Sequence, residues 1–324
     1  GTVQRMAAAA RYQSLAAIGV PVHTLGRVAG AQPPTPASYS DDELEIAARA
    51  VQEADVVLSL KEQPVGVLRA LRDRGMMPDV PVLVCLHRSD PRHSGEALEV
   101  LVDATRDGLV TDVISCAETT ELAYLKAGVE PRRRVVIPNG IDLALFRPGD
   151  AAERAATRAA LGVPDGDRVV IFAARFDPMK DPGLFLRAVA AHQEIDDRTR
   201  YVMCGAGMTR ENPAFAELLD GSGIRDHDRL LALGIRDDMP ALYRIADVVS
   251  LTSSFGEASP LCLLEGIASG AVPVTTPVGD APREAAGVGY VTAHDPADIA
   301  AHWQRALDRA AEPHPLLPAE RERI

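Results

Sequence analysis

Two carboxylates, two cations and a set of glycines that follow apolar runs are the residues whose types and spacing could do chemistry. Glu257 and Glu265 stand eight residues apart in SSFGEASPLCLLEGIASG (253–270). Glu257 falls in a Gly/Ser/Pro loop, and Pro260 suits the first position of a helix. Glu265 then lies about one and a half turns inside an otherwise apolar helix, where a buried acid needs a partner. Helix N-termini attract anions through unpaired N–H groups and the dipole. This loop and helix could therefore hold a phosphate at the helix start and a polar ligand group at Glu265. The plainer alternative makes Glu257 a solvated loop acid and turns Glu265 to water.

Arg175 and Lys180, in ARFDPMKD (174–181), directly follow the apolar run RVVIFAA. Two cations after a parallel strand suit a diphosphate; surface pairing with Asp177 and Asp181 is the alternative. Gly205-Ala206-Gly207 also follows an apolar run and either makes a turn or lets a ligand approach the backbone. His87 ends VPVLVCLH, with Arg88, Arg92 and His93 close behind; a strand-end histidine is a candidate acid, base or hydrogen-bond donor. Arg132-Arg133-Arg134 reads as a solvated loop. Asp165-Gly166-Asp167 and Asp226-His227-Asp228 precede strands and read as turns, so no metal site is expected. No GxxxxGK[ST] occurs, which excludes a P-loop nucleotidase.

The elements that must position these residues alternate short β-branched runs with Ala-rich amphipathic stretches, the pattern of βα units on parallel sheets. Ser40 before Asp41-Asp42-Glu43 predicts a helix to about Glu53. Strands are predicted at 55–60, 80–87, 112–117 and 134–138, with helices at 64–74, 96–107 and 119–127. The turn-rich PNGIDLALFRPGD (138–150) breaks this rhythm. A second series follows: strands at 168–174, 200–205, 230–233, 247–252, 272–275 and 289–291, and helices at 182–192, 239–245, 260–269 and 296–311. A helix over 3–17 and a strand over 20–25 are predicted at the start, with a mobile loop over 28–39. A Rossmann-type half should open with a strand before its first glycine loop. Residues are therefore expected to be missing before Gly1 and around Tyr12–Leu15.

The chain has 324 residues, 34 Lys+Arg against 46 Asp+Glu, and a net charge of −12. This acidic balance without a basic stripe argues against a nucleic-acid partner. No run approaches the ~20 apolar residues that span a bilayer, and no charged and apolar leader opens the sequence. Cys85, Cys116, Cys204 and Cys262 match no zinc or redox spacing and read as small buried hydrophobes in a reducing, cytoplasmic compartment.

Together VVIPNGID, ARFDPMKD, VMCGAG, LLALGIRDDMPALYRIADVVSL, FGEASPLCLLEGIASGAVPV and TPVGD resemble the GT-B glycosyltransferases of family 4. The likeness covers residues 1 to 310 and is strongest from 134 to 291. Glu257-x7-Glu265 resembles the family's paired glutamates, and GTVQR a degenerate first glycine loop. The family's final helix, which crosses back to the first domain, is truncated here, so residues are expected to be missing after Ile324 as well. The resemblance implies an α/β fold of two Rossmann-like doubly wound domains facing a cleft: an acceptor-side domain over 1–145 and a nucleotide-sugar domain over 146–324. It implies retaining, metal-independent sugar transfer from a nucleoside-diphosphate sugar, UDP favoured, with no further cofactor. Arg175 and Lys180 would neutralise the leaving diphosphate. Glu257, with Ala258–Leu261, would hold the donor sugar and phosphate, and Glu265 the ribose. Gly1 and Gly205 would border the donor, Ile235 would meet the base, and His87 would serve the donor sugar from the first domain. The acidic balance favours a soluble small-molecule or saccharide acceptor over a membrane lipid. Rival readings are a nucleotide-sugar epimerase or sugar phosphorylase of the same fold, or a non-catalytic nucleotide-sugar binder.

Overall fold

The computed structural model describes residues 10–25 and 35–310. In sequence they divide between Ile137 and Pro138 into two compact units, each with its own parallel sheet.

The first unit contains α1 (Ala10–Ala17), α2 (Asp41–Gln52), β1 (Val57–Ser59), α3 (Val65–Asp73), β2 (Val82–Leu86), α4 (Glu96–Arg106), β3 (Asp112–Ser115), α5 (Glu118–Lys126) and β4 (Arg133–Val136). Helix α2 starts as its sequence dictates. The Ser40 hydroxyl accepts from the Glu43 N–H at 3.3 Å, and the Glu43 carboxylate accepts from the Ser40 N–H at 2.9 Å, a reciprocal cap that satisfies two end donors. The strands lie in the order β1-β2-β3-β4. Val82, Val84 and Leu86 alternate inward and pack with Leu44, Val65, Leu71 and Leu101, while Leu83 and Cys85 between them are only half buried.

One expectation fails at the start of the chain. Residues 20–25 form no strand; Val20 and Val22 are exposed, and Pro21 has no N–H to give to a ladder. Helix α1 covers the described part of the helix expected over 3–17; residues 3–9 lie outside the described residues. Most of the expected mobile loop over 28–39 lies outside the described residues; within it, Pro36–Ser38 form a 3-10 turn and Tyr39 is buried.

The second unit runs α6 (Ala151–Leu161), β5 (Arg168–Ala173), α7 (Pro182–His192), β6 (Thr199–Cys204), α8 (Pro213–Asp220), β7 (Leu230–Gly234), α9 (Met239–Ile245), β8 (Val248–Leu251), α10 (Leu261–Ala268), β9 (Val272–Thr275), α11 (Ala281–Ala285), β10 (Tyr290–Val291) and α12 (Pro296–Ala310). Its sheet is ordered β10-β9-β8-β5-β6-β7. The central strands read as unbroken apolar runs because helices cover both faces. One face packs Phe172, Phe185 and Trp303 with α7 and α12, with rings 4.8 and 5.0 Å apart. The other packs Ile171, Val249, Tyr243 and Leu263 with α9 and α10. Trp303 is fully buried, and its indole N–H donates to Ser250 Oγ at 3.0 Å.

His192, at the end of α7, is fully buried with Nδ1 2.7 Å from the Tyr201 hydroxyl. Burial pushes its pKa down from 6.5 to about 4. Below pH 6.5 the unfolded chain therefore binds a proton that the folded chain refuses. This contribution to stability is complete above pH 6.5 and is lost as pH falls toward 4. Denaturant unfolding at pH 7 and pH 5 should show a loss of about 2 kcal/mol from this group, reduced in His192→Gln. An equal loss in both proteins would contradict the assignment.

Candidate active site

The strand order of the second sheet fixes where a ligand can sit. The chain builds β5, β6 and β7 outward in one direction, then returns to lay β8 against the other edge of β5. The loops after β5 and β8 leave in opposite directions, which opens a crevice at their carboxyl ends. ARFDPMKD follows β5, and the Ser253–Pro260 loop follows β8.

The two loops are laced together. Lys180 Nζ forms an ion pair with Glu257 Oε1, with side chains only 14% and 6% exposed, and the Ser253 hydroxyl donates to the same oxygen. Glu257 is thus a buried, paired acid, not the solvated loop acid of the plainer reading. Lys180 takes it as partner in place of Asp181. The Thr252 hydroxyl donates to the Lys180 and Asp181 carbonyls at 3.2 and 3.1 Å, and the Ser254 N–H donates to the Met179 carbonyl at 2.9 Å. Asp181 has φ +45°, the one positive value at a non-glycine among the described residues. Its carboxylate accepts from the Leu184 N–H and the Ser254 hydroxyl, each at 2.9 Å, bonds that offset the unfavourable backbone.

Arg175 behaves differently. It is 56% exposed and pairs with Asp177 at 2.8 Å, as its surface alternative expected. Burial pushes the Asp177 carboxyl up, but the Met179 N–H and Arg175 outweigh it and leave the group below its usual range.

Helix α10 begins at the end of the β8 loop, and no side chain caps it. Its first-turn N–H groups lack the usual side-chain acceptor. The turn before it is instead pinned through its own carbonyls. The Asp280 N–H donates to Ala258 O at 2.8 Å, and Asn139 Nδ2 donates to Ser259 O at 2.9 Å. The Ser259 hydroxyl donates to Glu284 Oε1 at 2.8 Å. Ala258 and Pro260 are buried, whereas Leu261 is exposed. Glu265 is half buried; burial pushes its carboxyl up, opposed by the Tyr243 hydroxyl. Cys262 is partly exposed, yet its surroundings push the thiol up to about 12, and it feels the charges of Lys180, Glu257, Glu265 and Glu284 together.

The neighbouring strand ends complete the picture. Gly205 has φ +137°, and a Cβ there would lie 2.0 Å from the Ala174 carbonyl oxygen. Its N–H donates to Gly234 O at 2.7 Å, and the Phe176 N–H donates to Ala206 O at 2.7 Å. The glycine loop therefore makes a turn packed against the start of ARFDPMKD. Ile235, 79% exposed, follows β7 beside it.

The second unit thus gathers Arg175, Lys180, Gly205, Ile235, Glu257, Ala258–Leu261 and Glu265 at one end of its sheet. His87 is an exposed residue of the first unit, just after β2; Gly1 lies outside the described residues. Sequence reasoning missed Ser253, Asp181, Asn139, Tyr243 and Glu284. Asp181, Asn139 and Glu284 reach the site through hydrogen bonds between segments distant in sequence, a relation that local spacing does not carry. The two D-x-D segments are turns: Asp167 pairs with Arg200 at 2.7 Å, and Asp226 with Arg229 at 2.9 Å. Cys116 and Cys204 are buried, and Cys85 and Cys262 half buried, all as free thiols. Among the described residues no helix is long and apolar enough to cross a membrane.

Removing Lys180 would strand a buried carboxylate. Lys180→Met should cost about 3–5 kcal/mol in denaturant unfolding. Adding Glu257→Gln to it should recover much of that loss. Additive effects of the two substitutions would mean that the pair is not coupled.

Residues 167–309 match the family model described as glycosyl transferases group 1. The D-inositol 3-phosphate glycosyltransferase of Salinispora arenicola is 36% identical over 193 residues, which are 56% of this chain and 42% of that protein. The enzyme of the same name from Saccharomonospora viridis is 38% identical over 224 residues, 66% of this chain and 49% of that protein. The chain spans less than half the length of these curated relatives. Among solved structures, Anabaena Alr3699/HepE in complex with UDP superposes with a TM-score of 0.72 at 20% identity, covering 96% of this chain and 87% of that one. Sucrose-phosphate synthase from Thermosynechococcus elongatus gives 0.69 at 21%, covering 87% and 73%. The chain has the two-domain α/β fold with parallel sheets of GT-B glycosyltransferases, and residues 167–309 of its second unit are similar to group 1 glycosyltransferases.

Proposed function

We propose that this chain transfers a sugar from a nucleoside-diphosphate sugar, UDP favoured, to a soluble polyhydroxylated acceptor, with retention of configuration. The observation that carries the reading is the uncapped first turn of α10 beside Lys180 at the strand-order switch, with Arg175 on the adjoining loop. That combination suits a diphosphate. The names of the relatives support a small phosphorylated polyol or sugar as acceptor, and an Anabaena neighbour holding UDP-glucose supports the donor class.

In this reading the bond from the sugar C1 to the diphosphate oxygen breaks. The acceptor oxygen forms the new bond on the same face, and its proton passes to the departing diphosphate. The diphosphate gains charge as it leaves, so Arg175, Lys180 and the N–H groups of α10 stabilise the transition state more than the ground state. They supply that charge without a metal ion. Glu257 stands at the sugar and Glu265 at the ribose. The part assigned to His87 rests on the family resemblance alone.

Purified protein should release UDP from UDP-glucose or a related donor only when a polyol phosphate or saccharide acceptor is added. Turnover of donor alone would favour an epimerase; inert binding would favour a carrier. Arg175→Ala should lower kcat about a hundredfold at saturating donor. Glu265→Gln should raise the donor KM about tenfold with little change in kcat, whereas Glu257→Gln should chiefly lower kcat. Identical kinetic defects in the two glutamine variants would refute their separate roles.

A further inference from the structure

Glu284 was not singled out by its sequence neighbourhood, and the proposed reaction assigns it nothing. It lies on α11, and its Oε1 accepts the Ser259 hydroxyl at 2.8 Å. Its other carboxyl oxygen, Oε2, is buried and has no hydrogen-bond partner among the described residues. Ser259 is held from the opposite side by Asn139 at 2.9 Å, and the preceding Ala258 carbonyl by the Asp280 N–H at 2.8 Å. Glu284 is thus one of three anchors of the turn that opens α10, and the only one whose anchoring group can change charge.

We propose that Glu284 is a positioning residue for the donor: as a neutral acid it fixes the Ser259 turn where a diphosphate would bind, and its ionisation weakens that binding. The proposal rests on the donor reading given above. A half-satisfied buried carboxylate is costly, whereas the neutral acid tolerates the site. The groups around it agree. Asp280 on its own segment and Glu257 on the β8 loop are both acidic, and the Cys262 thiol on α10 lies near enough to feel its charge. Strand β9 carries no ionisable side chain. Tyr290 of β10 is engaged elsewhere, its ring 5.6 Å from that of His302 and 4.9 Å from the Arg305 guanidinium. Burial accordingly pushes the Glu284 carboxyl up to about 8, with Asp280 and Glu257 adding to the shift and Ser259 opposing it. A dianionic diphosphate beside the same turn raises it further, so donor binding and proton binding to Glu284 are coupled.

The test is the dissociation constant of UDP-glucose by calorimetric titration from pH 6.5 to 9, where the diphosphate diester has no proton to lose. Wild-type protein should bind about fivefold more weakly at pH 9 than at pH 7 if the bound diphosphate raises the Glu284 pKa by one unit. Glu284→Gln should bind independently of pH, and more tightly than wild type at pH 9. Glu284→Asp, which keeps the charge, should keep the pH dependence. The same weakening in Glu284→Gln as in wild type would overturn the proposal. A second measurement needs no variant: at pH 8 the wild-type protein should take up protons on binding UDP-glucose, read as a dependence of the binding heat on buffer ionisation enthalpy. Binding without proton uptake would overturn the role of Glu284 while leaving the donor reading intact. No binding of any nucleoside-diphosphate sugar at any pH would overturn both.

Discussion

The Lys180–Glu257 ion pair is the constraint on which the candidate site depends. Neither charge is solvated, so each costs free energy that its partner must offset. The two residues are 77 positions apart and sit on loops that leave the sheet in opposite directions. Holding them together ties the exit of β5 to the exit of β8, the place where a parallel sheet opens a crevice. A pair of this kind contributes little net stability. Its effect is geometric: it decides where the β8 loop turns before α10 begins.

Backbone packing finishes what the pair starts. Gly205 brings the β6 loop against the Ala174 carbonyl, and Gly279, at φ +61°, lets its own loop reach the Glu257 carbonyl; a Cβ there would lie 2.2 Å from that oxygen. Both approaches require the absence of a side chain. The loops carrying Arg175, Gly205, Glu257 and Asp280 thus rest on one another through main-chain hydrogen bonds, with Asn139 added from the segment that opens the unit. A site built this way moves little on its own, which suits stabilisation of a developing charge by fixed dipoles and cations.

The parts visible in sequence were those written in local pattern. The apolar runs of β5, β6 and β8 and the capping box at Ser40 each name an element within a few residues. Helix α6 was written there too and was overlooked. Asp150 and Glu153 form a second capping box, an Ala-rich stretch follows, and Gly162 closes the helix at φ +67°; the turn-rich run before it continues up to the cap residue itself and masks the signal. Residues 20–25 misled in the other direction. Their alternation suits a strand, but a strand exists only where a neighbour pairs with it. Glu284 shows the limit of local reading. Its role depends on Ser259, 25 positions away, and on the loss of water around a carboxyl that looks ordinary in APREAAG.

The charges around α10 are not interchangeable, and their differences give the site its direction. Lys180 is already neutralised by Glu257, so a diphosphate arriving at the helix N-terminus would not meet a free ammonium. Arg175 is more than half exposed, and only Asp177 two residues away holds it. An exposed pair of that kind is weak, about 0–1 kcal/mol, so its guanidinium can exchange Asp177 for a phosphate at little cost and pair with it bidentately. Lys180 can follow only by loosening Glu257, which still has the Ser253 hydroxyl. Arg175 and the N–H groups of α10 would then meet the incoming diphosphate and hold it through cleavage, with Lys180 joining them as the leaving group gains charge. A carboxylate released in that step would lie against the reacting sugar, where a growing positive charge at C1 would favour its ionised form.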